Sequence, residues 1–460
     1  MMIIQDKDLP NGWEWVSVGD ICNIETGTTP SRAKPEFFGE GLPWVTPGDF
    51  DGSTYISKGR EALTELGIRE GRGKVFPSKT VLLVCIGATI GKVAVAARKI
   101  SANQQINSLI CGLKIYPEFL YFYLVYNKAN LVSVASSSTV PIINQERLRT
   151  IEIPLPPLAE QKRIASIAQK ADRLRRTRRY ALQLSDTYLR SVFLEMFGNP
   201  ATNPKSWEAG TLDDVIISAK DGPHVSPNYS DSGIPFLSTR NVKKGELIWE
   251  DLKFISYEDA KQHWKKCKPE RGDVLYTKGG TTGLAKAIDF DREIAVWVHI
   301  AVLKLRRERV IPSWLESMLN TDFCYKQSQE LTFGIVNRDL GLQRMPKIKI
   351  YIPPLHLQEN FAEIVQKFDR LRTQQREAER QAEHLFQTIL HRAFRGELTS
   401  QNADDEPESV LLEEIRAQQA KAEAEAKTAT QAMGDAADYV GTKAKQQDIE
   451  PIQLKFPGFE

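Results

Sequence analysis

The feature that most constrains this chain is an internal duplication. The segment Ile153-Pro-Leu-Pro-Pro-Leu-Ala-Glu-Gln161 returns 197 positions later as Ile350-Tyr-Ile-Pro-Pro-Leu-His-Leu-Gln358. In both copies an apolar run typical of a β-strand ends at a double proline, because proline cannot donate to a sheet ladder. A long polar helix is predicted directly after the prolines. The chain therefore contains two similar units, each built as a lobe followed by a helix.

Other matches carry the duplication through both halves of the chain. Trp13 and Trp207 lie in similar polar turns 194 positions apart. Three further matches share a shift of 192 positions: Gly41 to Val45 with Gly233 to Leu237, Gly87 with Gly279, and Gly91 with Gly283. At the same shift the neighbouring loops diverge, as in Ser101 to Gln105 against Glu293 to Trp297. A shared scaffold with different loops favours two lobes that recognise different targets.

The length of 460 residues is too great for one hydrophobic core, since a domain usually contains roughly 100–200 residues. Strand-like runs, turns and short helices alternate in both lobes, which predicts the mixed class written α/β (α+β). Five regions follow in chain order: a first lobe at residues 1–155, a helical region at 156–200, a second lobe at 201–352, a second helical region at 353–400, and an acidic tail rich in Ala, Gln and Glu at 401–460.

Each lobe leads into a predicted helix of about 35 residues with one apolar stripe, in which apolar residues recur three and four positions apart. The stripe residues are Ile164, Ile167 and Leu174 in the first helix and Phe361, Ile364, Phe368 and Leu371 in the second. A lone helix of this kind would be insoluble or unfolded, so each must bury its stripe. The simplest partner is the other copy, packed as a coiled coil. At 1.5 Å per residue the pair would hold the lobes roughly 50 Å apart.

The charge of the chain is uneven. The net charge is +2, but residues 401–460 contain 6 basic and 13 acidic side chains, which leaves a balance of +9 for the other 400 residues. A body of that sign suits a polyanionic partner. Five arginines crowd together between residues 173 and 179, and either a solvated helix face or a phosphate-facing or partner-facing patch explains them. The composition of the tail predicts one exposed helix followed by flexible chain.

The sequence predicts a cytoplasmic protein without a membrane segment. No apolar run approaches the ~18 residues that a membrane helix needs, and residues 1–8 lack the basic and apolar regions of a secretory signal. The five cysteines are scattered and never spaced Cys-x-x-Cys, so we expect buried reduced thiols rather than disulfides or a zinc site. The six histidines give no metal-ligand spacing either, so we expect no metal.

Motifs of catalysis are missing from the sequence. The loop Gly87-Ala-Thr-Ile-Gly-Lys92 is similar to a phosphate loop, but three residues rather than four separate its glycines and Val93 follows the lysine. The sequence contains no dinucleotide loop, zinc-protease motif or nucleophile elbow. The double prolines follow Leu155 and Ile352 rather than the Asn or Asp of an amino-methyltransferase. The pattern indicates a recognition module, and a non-catalytic coiled-coil scaffold whose lobes bind proteins is the alternative.

Three segments stand out beside the plan of two lobes and two helices. They are Ile153-Pro-Leu-Pro-Pro-Leu-Ala-Glu-Gln-Lys-Arg-Ile-Ala165, Met196-Phe-Gly-Asn-Pro200 and Ala393-Phe-Arg-Gly-Glu-Leu398. Together they resemble the specificity subunits of Type I restriction-modification systems, and the resemblance covers roughly residues 10–427. The second copy departs from the pattern at His356-Leu-Gln-Glu359, where the first has Ala-Glu-Gln-Lys, a change that leaves the helix start intact.

The resemblance implies two target-recognition domains joined by an antiparallel helical spacer, each reading one half of a bipartite, asymmetric sequence in double-stranded DNA. It also implies two methyltransferase (M) subunits that grip the helical region and two ATP-driven restriction (R) subunits. S-adenosylmethionine, ATP and Mg²⁺ would belong to those partners. This chain is therefore expected to carry no cofactor and no catalytic residue.

Candidate DNA-reading residues come from polar loops of the two lobes. Base edges are read by Arg, Lys, Asn, Gln, Ser and Thr side chains, and a bidentate pair adds about 1–3 kcal/mol of discrimination. The candidates are Thr89, Lys92, Asn103, Gln104 and Gln105 in the first lobe and Arg240, Asn241, Lys278, Thr281 and Thr282 in the second. For each of them an ordinary role in a surface loop is the alternative.

Overall fold

The computed structural model describes residues 9–133, 135, 141–334 and 338–399, except the side chains of 185–187, together with Ala417, Ala420, Lys421, Ala424 and Glu425 of the tail. It divides into two compact units, Met1–Tyr180 with Glu377–Lys427 and Ala181–Arg376 with Thr428–Glu460. Each unit combines one lobe with a stretch of both long helices. The predicted tail helix lies mostly outside the described residues, and the five tail residues named above are helical.

Strands of the first lobe form three sheets. The strands are β1 (Glu14–Ser17), β2 (Cys22–Thr26), β3 (Phe38–Val45), β4 (Tyr55–Ile56), β5 (Glu61–Leu63), β6 (Val81–Val84), β7 (Val93–Ala96), β8 (Ser101–Ala102), β9 (Ile106–Cys111) and β10 (Glu152–Leu155). Their orders are β2-β9-β6-β7-β4, β5-β3-β8 and β1-β10. The helices are α1 (Val18–Ile21), α2 (Glu65–Arg69), α3 (Pro117–Tyr126), α4 (Lys128–Ser133) and α5 (Gln145–Arg149), followed by the long helix α6 (Leu158–Phe197). All four side chains of β6 are buried, because this central strand is apolar on both faces.

The second lobe repeats that plan. Its strands are β11 (Glu208–Thr211), β12 (Ile216–Asp221), β13 (Tyr229–Ser230), β14 (Ile234–Leu237), β15 (Val242–Lys243), β16 (Glu246–Leu247), β17 (Lys253–Ile255), β18 (Val274–Thr277), β19 (Ala285–Ala287), β20 (Ala295–Val296), β21 (Ile300–Leu305) and β22 (Lys349–Ile352). The sheet orders are β12-β21-β18-β19, β13-β17-β14-β20, β11-β22 and β15-β16. The helices are α7 (Tyr257–Lys266), α8 (Pro312–Leu319), α9 (Asp322–Glu330) and the long helix α10 (Leu355–Ala393).

The repeated proline segment ends both lobes in the same way. β10 pairs antiparallel with β1, and β22 pairs antiparallel with β11, so the first and last strands of each lobe meet. The double proline follows the last strand, and α6 or α10 begins at the next residue. Strand, breaker and helix therefore occur where the sequence predicts them.

A buried glutamine ties each long helix to its own lobe. The Gln161 side chain accepts the Tyr116 N–H at 2.7 Å and donates to the carbonyls of Lys114 and Pro156 at 2.9 and 2.8 Å. Gln358 makes the same three contacts in the second lobe. This shared role explains why the duplicated segment ends in glutamine in both copies.

The structure corrects the shift at which one pair of loops matches. Gly87 donates its N–H to the Pro141 carbonyl at 3.1 Å, and Gly280 donates to the Arg338 carbonyl at 2.9 Å. Both glycines have a positive φ, +91° and +68°. Gly280, rather than Gly279, is therefore the counterpart of Gly87, and the loop of the second lobe is one residue shorter. The sequence match was wrong because glycine occupies both positions.

The structure also corrects the match between the residues before β9 and those before β21. The Gln105 carbonyl accepts the Cys85 N–H at 2.8 Å, and the His299 carbonyl accepts the Lys278 N–H at 2.8 Å. Gln105 therefore matches His299 rather than Trp297, to which the shift of 192 positions assigns it. Two additional residues in the second lobe cause the error. The identical pairs Ile106 with Ile300 and Leu109 with Leu303 follow at the corrected shift of 194 positions.

In the first unit the two long helices run antiparallel. Arg175 of α6 lies 3.1 Å from Glu383 of α10. Arg179, one turn later on α6, lies 3.5 Å from Glu379, one turn earlier on α10. The buried stripe residues of this unit are Ile164, Ile167 and Leu174.

The second unit repeats the antiparallel pairing. The rings of Tyr188 and Phe368 stack with centroids 4.8 Å apart, and Phe193, later on α6, meets Phe361, earlier on α10, at 5.6 Å. The buried stripe residues here are Phe361, Ile364 and Phe368, with Leu371 half-buried. The helices therefore pair within each unit in the orientation that the resemblance implies.

Candidate nucleic-acid interface

One edge of the five-stranded sheet collects polar loops of the first lobe. β2 and β6 end at this edge and β7 and β9 begin there, because neighbours in the order β2-β9-β6-β7 are antiparallel. The structure brings all five candidates of the lobe to these loops: Thr89 and Lys92 between β6 and β7, and Asn103, Gln104 and Gln105 before β9. We call this surface the first edge.

Two candidates of the first edge make contacts inside the lobe. Asn103 is buried, and its amide oxygen accepts the Gln105 N–H at 3.1 Å. The Lys92 ammonium donates to the Phe50 carbonyl at 3.1 Å and so fixes a neighbouring loop. These two side chains shape the edge.

The other candidates of the first edge offer uncharged polar groups. Gln104 is exposed, and the Thr29 hydroxyl donates to its amide oxygen. Thr89 and Gln105 are half-buried. Hydroxyl and amide groups can both donate and accept, which suits base edges that present both functions.

The second lobe has the same edge with a charged centre. β12 and β18 end there and β19 and β21 begin there, since the order β12-β21-β18-β19 is antiparallel. Lys278, directly after β18, lies 3.2 Å from the carboxylate of Asp221 and 3.2 Å from that of Asp339. Lys278 and Asp221 are buried, and a buried charge is tolerated only when it is paired. We call this surface the second edge and the three residues its ionic centre.

Matching positions of the two edges differ in chemistry. At matching backbone positions the first lobe has Thr26 for Asp221, Cys85 for Lys278, Gln105 for His299 and Ile142 for Asp339. One framework therefore holds hydroxyl, thiol, amide and apolar groups in the first lobe and carboxylate, ammonium and imidazole groups in the second. Of these positions, Gln105 with His299 and Ile142 with Asp339 are at least partly exposed in both lobes, and groups so different match different base edges.

Two candidates of the second lobe have roles inside the protein. Asn241 is buried, and its amide oxygen accepts hydrogen bonds from the N–H and the hydroxyl of Ser238, both at 2.9 Å. Thr282 is also buried, with its hydroxyl 3.1 Å from that of Thr332. Residue type predicts a base-reading role for both side chains but does not report their burial.

Arg240, Thr281 and His299 are exposed in the loops of the second lobe. Sequence reasoning missed His299 because the uncorrected shift matched Gln105 with Trp297. Partial burial and the nearby Lys278 ammonium lower the pKa of His299, which favours the neutral imidazole at neutral pH. A neutral imidazole both donates and accepts hydrogen bonds.

Acidification should destabilise the second lobe through His263, a buried residue of α7. Burial lowers the pKa of His263, against a weaker opposing effect of Asp259. In the unfolded chain this histidine binds its proton near pH 6.5, whereas in the folded chain it does so only at a lower pH. Protonation therefore favours the unfolded state as the pH falls from above 6.5 to the folded pKa. Hydrogen-exchange protection of the second lobe should therefore decrease as the pH is lowered from 7.5 to 6.0, after correction for the intrinsic exchange rate of unprotected amides. His263→Gln should reduce that pH dependence, and an unchanged dependence would contradict this assignment.

The crowded arginines of α6 mostly pair within the first unit. Arg175 bonds to the Asp172 carboxylate at 2.7 Å as well as to Glu383 of α10. Arg178 is buried and pairs with Glu425 of the tail at 2.7 Å. These contacts favour an intramolecular role over a phosphate-facing patch for the two side chains.

The described part of the chain contains neither a metal-binding cluster nor a membrane-spanning helix. No group of His, Cys, Asp and Glu among those residues could hold a metal ion. None of the described helices has the length and apolar character to pass through a membrane.

Comparison with known proteins identifies the family. Residues 10–183 and 204–383 match the sequence model of the family described as the Type I restriction modification DNA specificity domain. The chain belongs to this family of specificity subunits. Both copies of the duplication are matched. As a specificity subunit the chain recognises DNA sequence, is not itself the enzyme, and assembles with other subunits of a restriction-modification complex, which disfavours the scaffold alternative.

Two relatives of this specificity subunit match along most of their length. It is 26% identical to the specificity subunit of the Type I restriction enzyme MjaIX from Methanocaldococcus jannaschii over 393 residues, covering 78% of this chain and 87% of that protein. It is 22% identical to the specificity subunit of EcoKI from Escherichia coli, covering 90% and 96%. The crystal structure of the Type I S subunit from M. genitalium shares the fold, with a TM-score of 0.52 at 15% identity, covering 84% and 98%.

Proposed function

We propose that each lobe reads one half of a bipartite, asymmetric DNA site through its edge. The observation that carries the proposal is the repetition of one edge with different side chains. In the first lobe the exposed candidate side chain of the edge, Gln104, is uncharged. In the second lobe the edge is built around the ion pairs of Lys278. Different arrangements of donors and acceptors select different base pairs in the major groove. Two unlike edges therefore suit two unlike half-sites.

The paired helices support the remaining parts of the proposal. They would set the spacing between the half-sites and recruit two methyltransferase subunits, with two restriction subunits completing the complex. S-adenosylmethionine, ATP and Mg²⁺ would be bound by those partner subunits in the cytoplasm. Family membership and the antiparallel pairing within each unit support this assignment of roles.

Mapping of methylated adenines tests the proposal directly. The genome is sequenced for base modification in cells that carry this chain with its M and R subunits, and in cells that lack this chain. We expect methylation at one motif made of two specified parts separated by unspecified bases, and its absence without the chain. A motif with one continuous part would overturn the division of reading between the lobes.

Arg240→Ala should affect one half-site only. Arg240 is exposed, and loss of a bidentate contact to guanine would cost about 1–3 kcal/mol at a single base position. The methylation map of the variant should show relaxed sequence at one position of the second half-site. Arg271→Ala is the matched control, because Arg271 has a side chain 62% exposed and precedes β18, at the opposite end of that strand from Lys278. Equal weakening on unrelated DNA would identify Arg240 as a phosphate contact instead.

A further inference from the structure

Phe333 exposes an aromatic ring beside the ionic centre of the second edge. Its surface is 60% exposed, and its backbone exchanges two hydrogen bonds with Asp339 at 3.0 and 2.9 Å. The Asp339 carboxylate lies 3.2 Å from the Lys278 ammonium. The ring is therefore attached to the loops that the proposed function assigns to DNA.

Arg344 holds the ring of Phe333 in place. Its guanidinium carbon lies 4.7 Å from the ring centroid. The same guanidinium donates to the carbonyls of Leu331 and Asp339 at 3.0 and 2.8 Å. Because two backbone carbonyls fix the planar cation, the aromatic ring rests on a pre-oriented support.

A second exposed apolar side chain lies in the loop that follows Asp221. Val225 is 72% exposed and follows Asp221 by four positions. The loops of Val225 and Phe333 are connected through Lys278, which pairs with both Asp221 and Asp339. A single exposed apolar residue needs no explanation, but two on loops that are joined by one ion-pair centre are typical of a binding surface.

We propose that Phe333 is a stacking residue for the second half-site, with Arg344 as its positioning residue. The inference rests on the proposed function, in which the second edge contacts DNA. An aromatic ring can stack on any base, and an apolar ring can enter a flexible pyrimidine–purine step and partly unstack it. The ligand is thus duplex DNA whose second half-site contains a base or step that yields to the ring.

The test uses the complete complex of this chain with its methyltransferase subunits. Binding is measured to a duplex carrying the mapped site, with the fluorescent adenine analogue 2-aminopurine placed in turn at positions of the second half-site. Phe333→Ala should weaken binding about tenfold, equivalent to about 1.4 kcal/mol, and should remove a fluorescence increase caused by unstacking. Phe333→Trp should retain both signals.

Tyr257→Ala provides the matched control. Tyr257 is 46% exposed and has the Lys261 ammonium 4.7 Å from its ring centroid, so it is a similar aromatic–cation pair on α7. We expect its replacement to leave affinity and fluorescence unchanged. The stacking role would be overturned if Phe333→Ala bound the mapped site with an affinity within twofold of the natural chain, or if it weakened binding to unrelated duplex equally. Half-site reading would stand in either case. A natural complex without preference for the mapped site would overturn the proposed function itself.

Discussion

Gln358→Leu should destabilise the second unit by about 3 kcal/mol or more, since each buried backbone group left without a partner costs about 1–3 kcal/mol. The Gln358 side chain accepts the Ile311 N–H at 2.9 Å and donates to the carbonyls of Arg309 and Pro353 at 3.0 and 2.9 Å. Leucine fills a similar volume but satisfies none of these groups. The loss separates α10 from the lobe that precedes it.

Hydrogen exchange resolved by region is the suitable measurement, because a chain with two units is not expected to unfold in one step. In Gln358→Leu, exchange should accelerate by roughly 100-fold in residues 201–376, as follows from 1.4 kcal/mol per factor of ten. Residues 9–180 should retain their protection. Gln161→Leu should give the reverse pattern, since Gln161 makes the same contacts in the first unit.

Gln366→Leu is the control for the helix itself. Gln366 is an exposed glutamine on the same helix, so its replacement tests whether leucine alone disturbs α10. We expect exchange in this variant to match that of the natural chain. Equal acceleration in Gln358→Leu and Gln366→Leu would contradict the role assigned to the three buried hydrogen bonds.

The parts of the fold that the sequence predicts depend on local signals. A double proline ends a strand wherever it occurs, and an apolar stripe of helical period predicts a helix that must be covered. Gln161 and Gln358 were visible as a repeated residue, although their shared contacts were not. The duplication, the two lobes and the two helices could therefore be derived without coordinates.

The parts that sequence reasoning missed depend on residues far apart in the chain. Lys278 and Asp339 are 61 positions apart, and no local pattern links them to each other or to Asp221. His299 was missed because two additional residues precede it in the second lobe, and the shift of 192 positions was carried past them. Asn241 illustrates the converse error, because its residue type suggests base reading while its buried side chain accepts hydrogen bonds from Ser238 inside the protein.

Lys278→Met should both destabilise the second unit and abolish recognition of the second half-site. Methionine keeps the volume of the side chain but leaves the buried Asp221 carboxylate with less compensation. Breaking a buried ion pair costs about 3–5 kcal/mol, and the Lys266 ammonium still contacts Asp221, so we expect the lower end of that range. Exchange should accelerate in the second unit, and the methylation map should lose the second half-site.

A double variant distinguishes the effect of losing the ion pair from the effect of replacing the Lys278 side chain. Asp221→Asn combined with Lys278→Met removes the uncompensated carboxylate, so the double variant should be more stable than Lys278→Met alone. Recognition should remain lost, because the Lys278 ammonium that joined the loop of Asp339 and Phe333 to the loop after Asp221 is absent. If the two substitutions simply added their costs, Asp221 and Lys278 would be independent, and the ionic centre could not be what positions the second edge.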